Sequence, residues 1–397
     1  MSVSMAATIP APTRAGKRTG LLALLGAGFV LLGIPTVIVG PILPVFISRW
    51  SLSDTQAGLF FSVQFTAALC GVWITTAFTS WRGYRPSLVI GYLLTGAGLA
   101  ALNAPTHVLA LVATAAFGVG YGMVVPPTNL SAAEAGGASV VSLLNFAWCI
   151  GAVACSPLIL VALRHHFLTG FLWIVAFSAV ILGVCFFFAV FPAEHGPRSS
   201  ESPGASAATP ALPITLAVSA LFFIYVGTET SMGGWAAEDT KRLAGHATSL
   251  TTMAPLFFYA GLMTGRAAAP LILKWLGEFR VVLTALALVV AGIVVVIAAN
   301  SPRVAIVGLA IAGLGCACIY PIYISWFSRW YGAGARRLGG VVFSLASLGA
   351  SALPWLVGFI STRIGSLRIG LLVPLAGCFV MLGLLAQLQR RGLEFRD

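Results

Sequence analysis

Charge is what this chain lacks most. Of its 397 residues only 8% are Asp, Glu, Lys or Arg, while 59% are hydrophobic. A soluble domain carries about 25% charged residues, so an ordinary water-soluble globule is excluded. Acids are the scarcest: ten Asp and Glu stand against 22 Lys and Arg, for a net charge of +12. The basic residues form no stripe. They sit singly or in pairs between apolar runs, which argues against a nucleic-acid partner and for membrane topology. The seven cysteines all fall inside apolar segments, and they have neither the even number nor the loop spacing of disulfides or zinc sites. They read as small packing residues. No Gly-x4-Gly-Lys-Ser/Thr loop is present, so no nucleotide drives work within this chain. His165-His166 is an adjacent pair without helical ligand spacing, and no Ser, His and Asp set converges. Neither an enzyme, a metal centre nor a cofactor is expected.

What is abundant is long apolar sequence. Twelve segments are marked: 20–47, 55–80, 84–104, 107–130, 138–163, 168–191, 212–236, 248–273, 279–299, 302–327, 338–362 and 368–388. Each is long enough to cross a hydrocarbon core of ~30 Å as a helix. The stretch 192–211 is rich in Pro, Ser and Gly and marks a flexible linker. The expected layout is a cytoplasmic tail (1–19), a six-helix bundle (20–191), the linker (192–211), a second six-helix bundle (212–388) and a second tail (389–397). With both termini inside, the inner loops carry about twice the Lys and Arg of the outer ones, as the positive-inside rule requires. The expected location is the cytoplasmic (inner) membrane.

The halves repeat each other. Phe29-x3-Gly33-x2-Thr36 recurs as Phe223-x3-Gly227-x2-Thr230, Leu59-Phe-Phe61 as Leu256-Phe-Phe258, and Gly118-x-Gly120-x5-Pro126 as Gly313-x-Gly315-x5-Pro321. The offsets are 194, 197 and 195 residues. Three matches in order at nearly one offset indicate a duplicated six-helix unit. Gly118, Gly120, Gly122, Gly313 and Gly315 allow close helix approach.

One acid breaks the pattern. Glu229, in Phe223-Ile-Tyr-Val-Gly-Thr-Glu-Thr-Ser-Met-Gly-Gly-Trp235, is the only carboxylate well inside an apolar segment. A charge at bilayer depth costs at least ~2.5–3.5 kcal/mol, so such a residue is a functional candidate by default. It either braces span seven against a neighbour, accepts hydrogen bonds from substrate hydroxyls, or cycles a proton. By the repeat it matches Pro35. Arg266, after Gly265 in span eight, either snorkels to the headgroups or forms a gate ion pair. Glu134, at the inner end of span four, is one conceivable partner.

Six plus six spans with a long central loop resemble the major facilitator superfamily over essentially the whole chain. Gly40-Pro-Ile-Leu-Pro44 followed by Leu52-Ser-Asp54-x-Gln56-Ala-Gly58 resembles that superfamily's first outer loop. Trp81-Arg-Gly-Tyr-Arg85-Pro86 sits where its basic inner loop belongs, with Ser80 in place of the acid expected there. Ser142-Leu-Leu-Asn145-x2-Trp148-x2-Gly151 looks like a fifth span. Tyr225-Val-Gly-Thr-Glu229-x-Ser231-x-Gly233-x-Trp235 is similar to the seventh span of fucose- and glucose-type sugar porters, and Gly118-x-Gly120 running to Asn129 to their fourth. The resemblance implies twelve helices in two pseudo-symmetric bundles, a midplane site and alternating access by rocking. Fucose–proton symporters carry carboxylates in spans one and four; the aligned positions here are Gly40 and Val125, so that proton-coupling pair is absent.

The expected substrate is a small neutral sugar or polyol, with a possible coupling proton or cation. The amides of Gln64, Asn129 and Asn145 suit sugar hydroxyls, or else bond between helices. The rings of Trp148, Tyr225, Tyr259, Trp355 and Trp235 either stack on a pyranose or, near span ends, belong to the interfacial belt. Tyr320 and Tyr323 could also face the cavity. Two other readings stay open: efflux of amphipathic drugs with Glu229 as proton carrier, and a non-transporting membrane receptor. A monomer in the bilayer is expected.

Overall fold

The computed structural model describes residues 14–189, 191, 212–331 and 335–391. The expected linker at 192–211 lies outside them, as do residues 1–13 and 392–397 of the two tails. Every described element is helical. The first half holds α1 (Arg14–Val37), α2 (Val39–Trp50), α3 (Asp54–Arg82), α4 (Tyr84–Ala101), α5 (His107–Arg164) and α6 (Leu168–Phe188). The second holds α7 (Leu212–Ala244), α8 (Ser249–Thr252), α9 (Ala254–Leu276), α10 (Glu278–Ala298), α11 (Pro302–Tyr331), α12 (Ala335–Ile364), α13 (Leu367–Gly370) and α14 (Leu372–Arg390). Among the described residues, eleven stretches are long and apolar enough to cross a membrane. The exception is α4, whose first turn spends Tyr84, Arg85, Pro86 and Ser87 on a polar start. The tail expected up to residue 19 is already helical from Arg14.

Prolines set the breaks within spans. Proline has no N–H to give the residue four back, and its ring crowds that residue's carbonyl. Span one breaks at Ile38, three residues before Pro41. Span eight breaks at Met253 ahead of Pro255, and span twelve at Leu371 ahead of Pro374. Within α5, Pro127 frees the carbonyl of Met123. The hydroxyl of Thr75 on α3 donates to that oxygen at 3.1 Å, so this carbonyl is not left unpaired in lipid.

Spans four and five are helical without interruption across 131–137, where the sequence pattern breaks. A straight helix of α5's 58 residues would run about 87 Å, roughly twice the whole bilayer. It folds back instead. Asn103, four residues before α5, donates to Thr169, five residues after it, at 2.5 Å. Both ends of α5 therefore lie on one face, and the chain reverses between its two spans.

The duplication is built from backbone contact. A Cβ on Gly118 would run into the Gln64 carbonyl, and one on Gly313 into the Phe258 carbonyl. Gly120 meets α4 at Gly91 and Thr95, while Gly315 meets α10 at Ala285 and Val289. Gly71 abuts Val119, and Gly265 abuts Leu314. These pairs fix the register of spans two and eight at 194 residues. The expected match of Leu59-Phe-Phe61 with Leu256-Phe-Phe258 is thus displaced by three residues, close to one helical turn. A periodic apolar sequence looks alike after a turn; a glycine pressed on a carbonyl does not. Capping boxes recur in the same way, Ser53 with Gln56 and Thr248 with Thr251.

Gly118→Leu and Gly313→Leu are expected to destabilise comparably, by ~1–3 kcal/mol or more, because each overpacks an interhelical contact. Gly383→Ala, with open space around its Cα, should leave the melting temperature of detergent-solubilised protein unchanged or slightly higher. Thermal unfolding of the three variants checks the order.

Candidate functional site

A cavity of about 100 Å³ lies between the halves. The first half lines it with Thr36, Val37, Phe61, Phe65, Tyr121 and Trp148, and the second with Val226, Glu229, Thr230, Gly234 and Tyr259. In the 194-residue register Thr36 matches Thr230 and Phe65 matches Tyr259, so the duplicated positions face each other across it. Glu229 is the one carboxylate in the wall. It is 17 residues into α7, ~26 Å along the axis at 1.5 Å per residue, near the middle of a 33-residue helix. A larger groove of about 440 Å³ lies on the outside of the first half between α1 and α6. Its lining is apolar apart from Cys185, so it offers no group that would orient a polar solute.

Glu229 and Tyr225 share one turn of α7. The Tyr225 hydroxyl bonds Glu229 Oε2, and it also lies 2.8 Å from the Cys316 carbonyl of α11. A carbonyl only accepts, and a phenol has one hydrogen. An ionised Glu229 and the carbonyl therefore compete for that hydrogen. A protonated Glu229 lets both bonds form, by donating to the phenol oxygen while the phenol donates to Cys316. The ring of Tyr225 is buried and stacks on Tyr320 at 6.0 Å.

Across the cavity Trp148 donates to Thr36 Oγ1 at 3.3 Å. Its ring meets Tyr259 edge-on at 6.3 Å. Arg266 of α9 lies behind that ring, with its guanidinium carbon 5.8 Å from the ring centre. Its Nη1 reaches Cys149 Sγ at 3.2 Å, so it spans from the second half to the first.

The structure thus gathers five of the sequence-selected residues, Glu229, Trp148, Tyr225, Tyr259 and Arg266, and sets the others apart. Gln64 is fully buried and donates to the Thr36 carbonyl at 2.9 Å, beside the break in span one. Asn129 and Asn145 each donate back to their own helix, to Val125 at 3.0 Å and Val141 at 2.9 Å. Trp235 is fully buried and donates to the Pro354 carbonyl at 3.0 Å, which ties α7 to α12. Trp355 stacks on Phe359 at 5.3 Å. Glu134 accepts from Tyr84 at 2.9 Å, not from Arg266. The repeat explains that choice: Tyr84 and Glu134 match Glu278 and Arg329, which form an ion pair in the second half. In both halves the pair ties the start of one span to the end of the next.

A second polar cluster was not anticipated. Span seven was expected to end at 236, but α7 continues to Ala244 and carries Glu238 and Asp239, each only 3% exposed. Arg242 pairs with Asp54 at the start of α3 through both its Nη atoms and with Glu238 through Nε at 2.8 Å. Ser361 of α12 donates to the same Asp54 carboxylate. Lys241 reaches the Pro44 carbonyl and the Ser48 hydroxyl at 3.3 and 3.1 Å. Arg164 donates to Ser249 at 2.6 Å, and the Thr55 amide to Thr362 at 2.9 Å. Among the described residues, hydrogen bonds between the halves run from this face only to Thr66, Ser351 and Arg266, about midway along their helices. Gly40 also packs against α7 there, where an added Cβ would come within 3.0 Å of the Gly233 carbonyl. The face that carries Asp54 is sealed across the halves, and the cavity lies beneath the seal. The signal in the sequence was the run Glu238-Asp-x-Lys-Arg242 together with Asp54, groups able to neutralise one another.

Two duplicated helical bundles, sealed together on one face over a shared central cavity, define a membrane transporter of the alternating-access kind. Residues 25–337 match the Major Facilitator Superfamily, and the chain belongs to that superfamily. Solved structures show the same fold. The fucose:proton symporter of E. coli is 16% identical, with a TM-score of 0.61 over 93% of this chain and 98% of that one. A bacterial homologue of the human lysosomal transporter Spinster, in an inward-facing conformation, is 15% identical, with a TM-score of 0.66 over 94% and 96%. The D-xylose–proton symporter is 15% identical, with a TM-score of 0.73 over 92% and 96%. No curated protein matches.

Breaking the Asp54–Arg242 contact should loosen the seal. Removing one member of this partly exposed pair costs less than the ~2–5 kcal/mol of a fully buried one, because water reaches Arg242. Asp54→Asn is therefore expected to raise labelling of a Thr230→Cys probe by an impermeant maleimide added at the Asp54 face, measured against the native-cysteine background. A Ser361→Ala change, which removes one neutral donor, should do so less.

Proposed function

We propose that this transporter carries a small hydroxyl-bearing solute, a sugar or polyol, and that Glu229 is both a solute ligand and the site of a coupling proton. The observation that carries the reading is one carboxylate in the wall of an otherwise neutral cavity between the halves. A sugar ring has apolar faces and a polar rim. Phe61, Phe65, Tyr121, Trp148 and Tyr259 offer rings for the faces, and Glu229, Thr36 and Thr230 offer acceptors and donors for the rim. Two of the fold neighbours are named as sugar:proton symporters, for fucose and xylose, which supports the substrate class.

The coupling follows from the hydrogen count at Tyr225. Protonated Glu229 donates to the Tyr225 hydroxyl, which in turn donates to the Cys316 carbonyl. Loss of the proton leaves a carboxylate that takes the phenol hydrogen and frees the Cys316 carbonyl. A group that rewires its neighbours on proton loss links protonation to the packing of α7 against α11. With the Lys and Arg bias read as positive-inside, both termini are cytoplasmic in the inner membrane and the Asp54 face points outward. The structure then corresponds to a state closed to the outside. A cavity of about 100 Å³ is below the ~300 Å³ at which ligand pockets begin, so loading requires the halves to part at the inner face. Rocking one bundle against the other about the cavity does this.

Glu229→Gln keeps the shape and fixes a neutral, proton-bearing side chain. In proteoliposomes with a panel of labelled hexoses, pentoses and polyols, this variant should retain counterflow within a few-fold. It should lose uphill uptake driven by a pH gradient by about tenfold or more, because an amide neither takes up nor releases a proton near neutral pH. If its binding, counterflow and driven uptake all equal those of the native protein, Glu229 is not the site.

A further inference from the structure

Arg266 raises a question of charge that the sugar reading does not answer. It lies twelve residues after the start of α9 and ten before its end, ~15 Å or more from either terminus along the axis. It does not snorkel: its guanidinium points between the halves, at Cys149 Sγ and over the Trp148 ring. A guanidinium cannot shed its proton. Neither a thiol nor a ring neutralises it. Its Nε is buried without a hydrogen-bond partner. The ion pairs among the described residues join Lys241, Arg242 and Arg329 to acids, and none includes Arg266. Glu229 lies within its electrostatic reach, as do Tyr121, Tyr225 and Tyr320, but no carboxylate oxygen comes within 4.0 Å. The matching position in the first half is Val72, so this cation is no part of the duplicated scaffold. A buried charge without a paired counter-charge is costly, and this one sits directly behind a ring of the cavity wall.

We propose that the transported solute carries a carboxylate and that Arg266 binds it, which makes the substrate a small hydroxy-carboxylate such as a sugar acid. This rests on the reading of the same cavity as a transport site for hydroxylated solutes. A carboxylate beside Trp148 meets a planar fork of donors suited to two parallel hydrogen bonds, and the unpartnered Nε gains an acceptor. The hydroxylated remainder of the solute lies along Trp148, Tyr259 and Glu229. The charges balance in two states. With the cavity empty, ionised Glu229 offsets Arg266. With the anion bound, Glu229 takes up one proton and the solute carboxylate offsets Arg266 in its place. On release, Glu229 returns the proton to water as the anion leaves. One monoanion therefore travels with one proton, and no net charge crosses the membrane.

The test uses the native chain in proteoliposomes with matched acid and alcohol pairs: D-gluconate with D-glucitol, D-glucuronate with D-glucose, and D-glycerate with glycerol. At least one labelled acid should be taken up under an acid-outside gradient, with its alcohol competing at least tenfold more weakly. A valinomycin potassium potential should not change that uptake. Arg266→Met should abolish the preference for the acid, and its melting temperature in detergent, set beside that of the native chain, reports whether the variant is folded. Arg266→Lys, which keeps the charge without the fork, should retain part of the preference; it is the variant to rely on if Arg266→Met does not fold. Transport of neutral members with no uptake or competition by any acid overturns this inference and leaves the sugar or polyol reading standing. Failure of both sets overturns both. A preference for the acid that is unchanged in Arg266→Lys and Arg266→Met removes Arg266 from the site.

Discussion

A charge held away from water has to be answered by another charge or by a proton. Most of this molecule's polar architecture follows from that rule. Where the chain can place opposite charges together it does so: Arg242 lies between Asp54 and Glu238 on the sealed face, and Arg329 on Glu278 at the other end of the second half. The first pair locks the halves to each other, while the second lies within one half. At the centre a cation and an acid, Arg266 and Glu229, are kept near each other without contact, as are the buried Asp239, whose Oδ2 has no partner among the described residues, and Arg368. In the proposed reading, charges left unpaired at the centre stay available to a solute and a proton. Full pairing would make the centre as rigid as the seal.

The scaffold that holds these charges is duplicated. Helices approach at glycines until backbone meets backbone: Gly118 on Gln64 and Gly313 on Phe258, Gly120 on Gly91 and Gly315 on Ala285. In lipid there is no hydrophobic drive between apolar helices, so close packing and buried hydrogen bonds hold the bundle. The duplicated positions also supply the neutral wall of the cavity, Thr36 with Thr230 and Phe65 with Tyr259. The chemistry breaks the symmetry. Glu229 stands opposite Pro35, Arg266 opposite Val72 and Tyr121 opposite Cys316. Duplication furnishes a cavity lined by both copies, and in the proposed reading substitutions in one copy furnish the site.

The sequence disclosed what depends on length and periodicity. Apolar runs of bilayer length located the helices. The Pro126 and Pro321 motifs with their glycines disclosed the repeat, and scarcity of acids singled out Glu229. What it hid depends on side-chain direction. Gln64, Asn129 and Asn145 are amides at suitable depth, yet each is turned to a backbone carbonyl on its own or an adjacent helix. Position along a chain does not say which face of a helix a residue takes in a crowded bundle. Trp235 was drawn to the cavity by its neighbours in sequence, but it sits one residue past the wall, at Gly234, and so turns to α12. The end of span seven was misplaced for another reason. Hydropathy counts Glu238, Asp239, Lys241 and Arg242 as unfit for a buried helix, whereas here opposite charges lie on adjacent turns and on Asp54, so the cost of burial falls.

Alternating access requires that the two closed states differ little in free energy, since a strongly preferred state would not cycle. The seal on the Asp54 face is substantial: a two-pronged guanidinium–carboxylate contact, the Lys241 and Arg164 bonds, and the Gly40 approach to α7. To open there, the halves must give up these bonds to water, where charged groups are well solvated, so the net cost is far smaller than the number of bonds implies. The opposite face must supply comparable contacts when it closes. A solute that pairs with Arg266 shifts this balance only through contacts that differ between the two states. Trp148, which bonds Thr36 within the first half and lies under Arg266 from the second, is placed to make that difference, because rocking changes its distance to Arg266 but not to Thr36.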